Sequence, residues 1–344
     1  MIALHSVASL EPSKGGPSRT VPALCRSIAA QKRDWHVEVT VTPKEVLERF
    51  ATRCQGVIHD HGQWLQINRS SAEAARRFSV PRIVTPRGML SPWAMNFRRW
   101  KKSIAWWAFA RRDLMEAALV HATSEMELAE LRELGARQPI AMIPNGVEPL
   151  PLTEADAAPP SRPYVLFLSR VHRKKGIQEL LEAWGGLAPQ GWDLVIAGPD
   201  EEGILAKAKL QTGVRYIGSV EGEPKHRLLQ QASLFVLPTY SENFGVVVAE
   251  SLMAGVPVIT THGAPWRCLQ TERCGWWIPM QPDVLRDTLH SAMRTPPDEL
   301  RAMGLRGRAY VEQQFSWPEI ARQMIDVYEW VLGGGPPPAC VSTD

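Results

Sequence analysis

Short runs of β-branched and other apolar residues recur along the chain. Each ends in turn chemistry, and longer stretches with helical patterning lie between them. In the first half these runs are MIALHSV, HVEVTVT, GVIHDHG, PRIVTPRG, ALVHATS and PIAMIPNG; in the second they are YVLFLSR, DLVIAGP, VRYIGS, SLFVLPTY, VPVITTHG and GWWIP. Strands alternating with helices are the mark of βαβ units, so the predicted class is α/β, with each half an open, mostly parallel sheet covered by helices on both faces. Ligands of such sheets sit at the carboxyl ends of the strands, which directs attention to the residues just after each run.

Between the halves, IPNGVEPLPLTEADAAPPSRP is rich in proline and small residues and has no period, so it reads as a linker. Near the end, WPEIARQMIDVYEWVL places Ile320, Met324, Val327 and Val331 at helical spacing, with Pro318 as a start signal. The Gly/Pro-rich GGGPPPACVSTD after it reads as a frayed tail. The expected organisation is a first domain over 1–145, a linker over 146–163, a second domain over 164–316, a terminal helix over 317–332 and a tail over 333–344.

A length of 344 residues suits two such domains, and 44% hydrophobic with 22% charged residues argues against disorder. No apolar run approaches the roughly 20 residues that span a bilayer, and the start lacks the basic and long apolar regions of a signal peptide, so a cytoplasmic location is expected. Cys25, Cys54, Cys268, Cys274 and Cys340 are scattered without a CxxC pair, which disfavours a disulfide framework or structural zinc. The net charge of +3 hides an asymmetry: residues 1–150 carry 21 Lys/Arg against 14 Asp/Glu, the remainder 18 against 22. From Arg69 to Arg112, eleven basic residues face the single acid Glu73, with Trp93, Phe97, Trp100, Trp106, Trp107 and Phe109 interleaved. Such a segment attracts anionic lipid or a phosphate-bearing substrate, although a solvated basic face over core tryptophans is an equal reading for any one residue.

Two segments carry candidate chemistry. In SENFGVVVAESLMAGVPVITT, Glu242 lies in the loop after a strand and Glu250 lies amid apolar residues of a helix expected to begin about Phe244. A helix N-terminus offers unpaired N–H groups and partial positive charge, and a carboxylate in apolar company needs donors, which a ribose diol supplies. The plain alternative is that Glu250 rides the exposed edge of an amphipathic helix. In FLSRVHRKKGIQELLEAW, Arg170 at a strand end and Lys175 before Gly176 and a helix would neutralise a diphosphate and the charge it gains on leaving. Arg173, Lys174 and Lys175 read equally as a solvated turn.

The order IPNGVE, SRxxxxKG, AGPD, LPTYSENFGVVVAESLMAGVPVITT closely resembles glycosyltransferase family 4, retaining nucleotide-sugar transferases with two facing Rossmann-like domains in the GT-B architecture. The family's two glutamates, separated by seven residues, are matched by Glu242 and Glu250. In the first half GGPSRTVPALCRSIAA, IHDHGQW, TPRGMLSPWA and the KK of WKKSIAWW, and in the second GAPWRCLQTERCGWWI, resemble bacterial members that build cell-surface polysaccharides.

The resemblance implies a site in the cleft between the domains. Glu242 would touch the donor sugar, helped by backbone N–H groups of Asn243, Phe244 and Gly245; Glu250 would hold the ribose, and Arg170 and Lys175 the diphosphate. Gly15 and Gly16 would let backbone approach the phosphates, and the base would rest near Gly198, Pro199, Tyr216 and Ile217. It also implies that the terminal helix crosses back onto the first domain, and that retention proceeds by front-face displacement without an enzymic nucleophile. The co-substrate is a UDP- or GDP-sugar, no metal is expected, and the acceptor is a carbohydrate or lipid-linked oligosaccharide. Nucleic acid is not an expected partner; peripheral contact with an anionic membrane through Arg69–Arg112 is. The sequence says nothing of oligomeric state.

On the acceptor side stand His59, His61 and Trp64. His59, Asp60 and His61 look like metal ligands, but strand alternation sends neighbours to opposite faces and no third ligand is evident, so packing or sugar contact is favoured. The chain departs from the family at Arg87, where many members have a histidine before glycine that contacts the donor sugar. Arginine can replace a hydrogen bond or phosphate contact but not act as general base. Ser169 stands where members usually have glycine. A nucleotide-sugar 2-epimerase and a non-catalytic sugar-nucleotide binding protein share the architecture and stay open; a dinucleotide dehydrogenase is disfavoured because no GxGxxG follows a strand.

Overall fold

A computed structural model describes residues 1–11, 15–51, 55–97, 99–150 and 160–343. Half of the expected linker, residues 151–159, together with Cys54 and Arg98, lies outside the described residues. Each of the twelve apolar runs forms a strand: β1 (Ile2–Val7), β2 (His36–Thr40), β3 (Gly56–His61), β4 (Arg82–Thr85), β5 (Leu119–Ala122), β6 (Ile140–Met142), β7 (Tyr164–Leu168), β8 (Asp193–Ala197), β9 (Val214–Tyr216), β10 (Leu234–Leu237), β11 (Val258–Thr261) and β12 (Gly275–Ile278). A further strand, β13 (Val341–Ser342), follows near the end.

The chain divides into two compact units, Met1–Gly146 with Trp317–Asp344, and Val147–Ser316. In the first, the strand order is β13-β6-β5-β4-β3-β1-β2; in the second, β12-β11-β10-β7-β8-β9. All pairs are parallel except β13 with β6. Chain direction across the sheet therefore reverses between β1 and β3 in the first unit and between β7 and β10 in the second. At such switch points the loops after the two strands diverge to opposite faces and leave a crevice for ligand.

The second unit is built on an apolar core in which the strands VLFL, LVIA and LFVL are fully covered, with Trp184, Trp266, Phe167 and Phe235 as its largest members. The first unit adds a clamp from the far end of the sequence. The Trp317–Gly333 helix buries Ile320, Met324, Val327 and Tyr328 against Ala23, Leu24 and Ile28 of the Pro17–Gln31 helix, and Trp35 stacks on Tyr328. Ser27 Oγ donates to the Trp317 carbonyl at 3.0 Å.

The tail expectation is corrected. Met142 N donates to the Cys340 carbonyl at 2.8 Å, β13 pairs antiparallel with β6, and Arg132 Nη2 donates to the Ser342 carbonyl at 3.1 Å. An unpaired edge strand next to an extended Val-Ser is enough to order a segment whose composition alone reads as frayed. Among the described residues, Cys25, Cys268, Cys274 and Cys340 are free thiols, and no helix is long and apolar enough to cross a membrane.

Candidate functional site

In the second unit, the loops leaving β7 and β10 hold the predicted residues. After β7 the chain passes Ser169 and Arg170, makes a 3-10 turn over Arg173–Lys175, and enters the Ile177–Leu187 helix through Gly176 at φ 67°. A side chain at Gly176 would collide with the Pro238 carbonyl after β10, so glycine lets the two switch-point loops touch. Across that contact Lys175 Nζ forms an ion pair with Glu242 Oε1, both side chains nearly buried. Glu242 is fixed in turn by its N–H, which donates to the Gly263 carbonyl at 2.7 Å.

The helix after this loop is Val246–Met253, capped by Gly245 in the left-handed conformation, so it begins two residues beyond the expected Phe244. Phe244 is buried and its carbonyl accepts from Trp266 Nε1 at 2.5 Å, which seats the loop on the core. Glu250, four residues into the helix, is half-buried and accepts from Lys225 Nζ at 2.6 Å. It is thus neither on an exposed edge nor without donors. Lys225, in the Gly222–Gln231 helix, carries no motif that marks it in the sequence.

Arg170 is not a member of the Lys175–Glu242 pair. It is half-exposed and its guanidinium faces Glu201 at 3.5 Å. Gly198, at φ 128°, lies against the Ser169 carbonyl where any side chain would clash, and Tyr216 Oη donates to the Gly198 carbonyl at 2.9 Å. Gly198, Pro199, Tyr216 and Ile217 therefore share one end of β8 and β9, with Tyr216 and Ile217 exposed. Asn243, in the loop just before the helix, remains part-exposed.

In the first unit, Gly15 and Gly16 precede the Pro17–Gln31 helix, and nothing stands within 4 Å of where a side chain on either would sit. At the β1/β3 switch point the sequence reading is incomplete. His59 and His61 do lie on one face of β3, with Asp60 on the other, but a third imidazole is present: His5 of β1 is in register with His59. Ring nitrogens of His5, His59 and His61 come within 4.8 Å of one another. The missed partner comes from a strand separated by more than fifty residues, and residue spacing cannot reveal it.

These rings are joined into a hydrogen-bonded chain. Arg87 Nη2 reaches His61 Nδ1 at 3.2 Å, and His61 Nε2 reaches His5 Nδ1 at 3.0 Å. His5 Nε2 reaches Tyr328 Oη at 3.2 Å, which reaches His59 Nδ1 at 2.5 Å. His59 Nε2 reaches Thr85 Oγ1 at 2.7 Å and, at a longer 3.3 Å, His121 Nδ1 itself; Thr85 Oγ1 reaches His121 Nδ1 at 2.9 Å, and His121 Nε2 ends on the Ile143 carbonyl at 2.7 Å. Burial, reinforced by the positive charge of Arg87, pushes His5 and His121 down to about 3 and His59 and His61 well below their usual value. Every ring is therefore neutral. With each ring nitrogen bonded and a guanidinium at the head, the cluster is a polar chain rather than a cation cage. Of the two roles open to His59, packing or sugar contact, its complete burial favours packing.

Arg87 heads this chain at the end of β4. It has φ 57°, and the following Gly88 donates its N–H to Glu127 Oε1 at 2.7 Å. Its Nη1 donates to Asn145 Oδ1 at 2.5 Å. On the other sheet face Asp60 accepts from Ser6 Oγ at 2.9 Å, Asn68 Nδ2 at 2.7 Å and Arg82 Nη1 at 3.2 Å, and burial raises its pKa to about 6.

The basic, aromatic run of the first unit resolves into two parts. Arg82 is buried against Asp60, and Arg76, at the surface, has its charge paired with Asp113 and Glu116. Helical residues run from Arg99 to Met115 with a π-helical turn at Trp106–Ala110. That turn directs Trp106, Ala110 and Leu114 inward and leaves Phe97, Trp100, Ile104 and Trp107 between 59 and 74% exposed. Lys101 stands over the Trp100 ring at 5.2 Å and Arg111 over Trp107 at 5.7 Å. Trp64, half-buried, donates to the Met89 carbonyl at 3.2 Å and has Lys102 over its ring.

Two doubly wound units with charged loops at their switch points have the GT-B architecture, and the comparisons with known proteins give the class. Residues 152–309 match the family of glycosyl transferases group 1 and residues 42–146 the glycosyl transferase 4-like domain. The two matches together span most of the chain and support the group 1 family of GT-B glycosyltransferases. It is 25% identical to the alpha-maltose-1-phosphate synthase of Mycolicibacterium smegmatis over 80% of this chain and 79% of that one. It is also 25% identical to the GDP-mannose:cellobiosyl-diphosphopolyprenol alpha-mannosyltransferase of Xanthomonas campestris over 97% and 98%. For several other curated relatives the match spans about half of their length. The sucrose-phosphate synthase of Thermosynechococcus elongatus has the same fold, with a TM-score of 0.82 at 22% identity, covering 97% of this chain and 99% of that one.

Proposed function

We propose that this glycosyltransferase is a retaining hexosyltransferase. It moves a hexose-type sugar from a UDP- or GDP-sugar to a carbohydrate or lipid-linked oligosaccharide acceptor in cell-surface polysaccharide or lipopolysaccharide synthesis. The observation that carries this reading is the pairing of Lys175 with Glu242 at the switch point of the second sheet, beside a glycine-capped helix start. Glu242 accepts hydroxyls of the donor sugar, and the free oxygen of Glu250, opposite the one on Lys225, accepts from the ribose. Lys175 and Arg170 hold the diphosphate and the charge it gains on leaving, Arg170 turning from Glu201 to do so. The anomeric carbon–oxygen bond to phosphate breaks as the acceptor oxygen forms its bond on the same face, and the acceptor proton passes to the departing phosphate oxygen. No metal is required in this scheme, so turnover should persist in excess EDTA; loss rescued only by a divalent ion contradicts that.

A lipid-linked acceptor is favoured by the diphosphopolyprenol-linked acceptor of the Xanthomonas relative and by the exposed Phe97, Trp100, Ile104 and Trp107 with Arg99, Lys101, Arg111 and Arg112 around them. Tryptophans and basic side chains in this arrangement suit the inner face of a membrane, at the cytoplasmic side. Binding to phosphatidylglycerol vesicles should be strong at low salt, weaken with salt, and fall on Trp100→Ser with Trp107→Ser; binding equal at all salt concentrations, or absent at low salt, contradicts this.

The transferase reading is tested by a donor screen that measures UDP and GDP release with and without oligosaccharide or lipid-extract acceptors. Acceptor-dependent release, abolished in Glu242→Ala and Arg170→Ala, is expected. Acceptor-independent release favours the epimerase, and unchanged activity in both variants contradicts the site.

A further inference from the structure

The imidazole chain of the first unit has a direction. The Ile143 carbonyl can only accept and the Arg87 guanidinium can only donate. From the carbonyl end, His121 Nε2 donates to Ile143 O, so the Nδ1 of that neutral ring accepts the Thr85 hydroxyl. Thr85 Oγ1 then accepts from His59 Nε2, and His59 Nδ1 accepts from the Tyr328 hydroxyl. Tyr328 Oη accepts from His5 Nε2, His5 Nδ1 from His61 Nε2, and His61 Nδ1 from Arg87 Nη2. Starting from Arg87 gives the same assignment. Each ring carries one proton, always on Nε2, and all the dipoles point their acceptor ends toward Arg87.

The two arginines of β4 and its end show what this achieves. Arg82 is matched by the carboxylate of Asp60. Arg87 has no carboxylate among its hydrogen-bond partners; they are the Asn145 amide and the neutral His61 ring. The nearby Glu127 bonds instead to Gly88 N, Thr123 N and Thr123 Oγ1, so its charge acts on Arg87 only through space. A row of neutral dipoles polarised in one sense stabilises the guanidinium and fixes its plane without cancelling its charge. Arg87 remains part-exposed, with N–H groups beyond the two already used.

We propose that the chain is a positioning device that presents Arg87, a cation with no carboxylate bonded to it, to a phosphate-bearing substrate, with Thr85, Tyr328, His59 and His121 as positioning residues acting through it. The transferase reading supplies only the identity of the anion, a phosphate group of one of its substrates. The arrangement itself can be tested without any sugar transfer.

Calorimetry with inorganic pyrophosphate at pH 7 and low salt tests the first part. Arg87→Gln should weaken binding more than about tenfold, as expected for a lost charge-assisted hydrogen bond. Thr85→Val, which keeps the shape and removes the hydroxyl, should weaken it about threefold, and Thr85→Ser should restore it. Tyr328→Phe breaks the chain elsewhere and should match Thr85→Val, which keeps the test open if one variant fails to fold. Nitrogen-15 spectra of labelled histidine should show His5, His59, His61 and His121 neutral with the proton on Nε2, and a changed pattern at His59 and His121 in Thr85→Val. A wild-type ring protonated on Nδ1 overturns the chain whatever the enzyme does. No pyrophosphate binding by the wild type, full binding by Arg87→Gln, or failure of Thr85→Ser to rescue overturns the positioning role.

Discussion

The two units share one architecture and differ in what fills it. The second sheet buries no charged side chain on its strands, only Thr260 and Thr261 among polar ones, and its paired charges lie in the loops and helices beyond them, where Lys175 meets Glu242 and Lys225 meets Glu250. The first sheet carries polar side chains inside: His5, Ser6, His59, Asp60, His61, Arg82, Thr85 and His121 are all buried on its strands. An apolar core tolerates a lost contact locally, whereas a buried polar network is stable only when each member has its partner. The difference separates a unit whose loops are free to evolve ligand contacts from one whose interior is committed to holding a few groups in place.

The comparison breaks most sharply at Asp60. Asp60→Asn leaves Arg82 buried without a countercharge and should cost about 3–5 kcal/mol. Phe235→Ala in the second core should cost a similar amount, about 3–5 kcal/mol, by opening a cavity. Hydrogen exchange resolved by segment should assign the first loss to β1–β6 and the second to β7–β12; a uniform loss from either variant denies that the cores are separate.

Acid should act next. His5 and His121 have folded pKa values depressed to about 3 from 6.5, so their contribution is intact above pH 6.5 and is lost as pH falls below it, about 2 kcal/mol for each by pH 5. His59 and His61 shift the same way. Asp60, raised to about 6, works in the opposite sense and returns about 1 kcal/mol over the same range. Exchange in β1–β5 should therefore accelerate from pH 7 to pH 5 more than in β7–β12, and equal acceleration would contradict the neutral imidazole chain. The smallest effect is Tyr328→Phe, which orphans His5 Nε2 and His59 Nδ1 and should cost about 1–3 kcal/mol at neutral pH.

The same contrast explains what the sequence disclosed. The strands were legible because the runs YVLFLSR and SLFVLPTY are apolar and bounded by turns, and Glu242, Lys175 and Arg170 were legible because they sit just after such runs. Partners brought together by sheet order were not. His5 and His121 lie in MIALHSV and ALVHATS, where they look like ordinary strand residues; only the order β1-β3-β4-β5 sets them beside His59 and Thr85. Lys225 is remote from Glu250 in the same way, and the Val341–Ser342 strand was hidden by the prolines before it. The one available signal was positional, a histidine two or three residues from the end of three strands that could be neighbours.

The central claim is that the donor nucleotide is held by the switch-point loops of the second unit. Hydrogen exchange with and without saturating UDP or GDP tests it most directly. One of the two should slow exchange at residues 169–176, 198–199, 216–217 and 239–250; exchange unchanged in all four segments with both nucleotides would contradict the account.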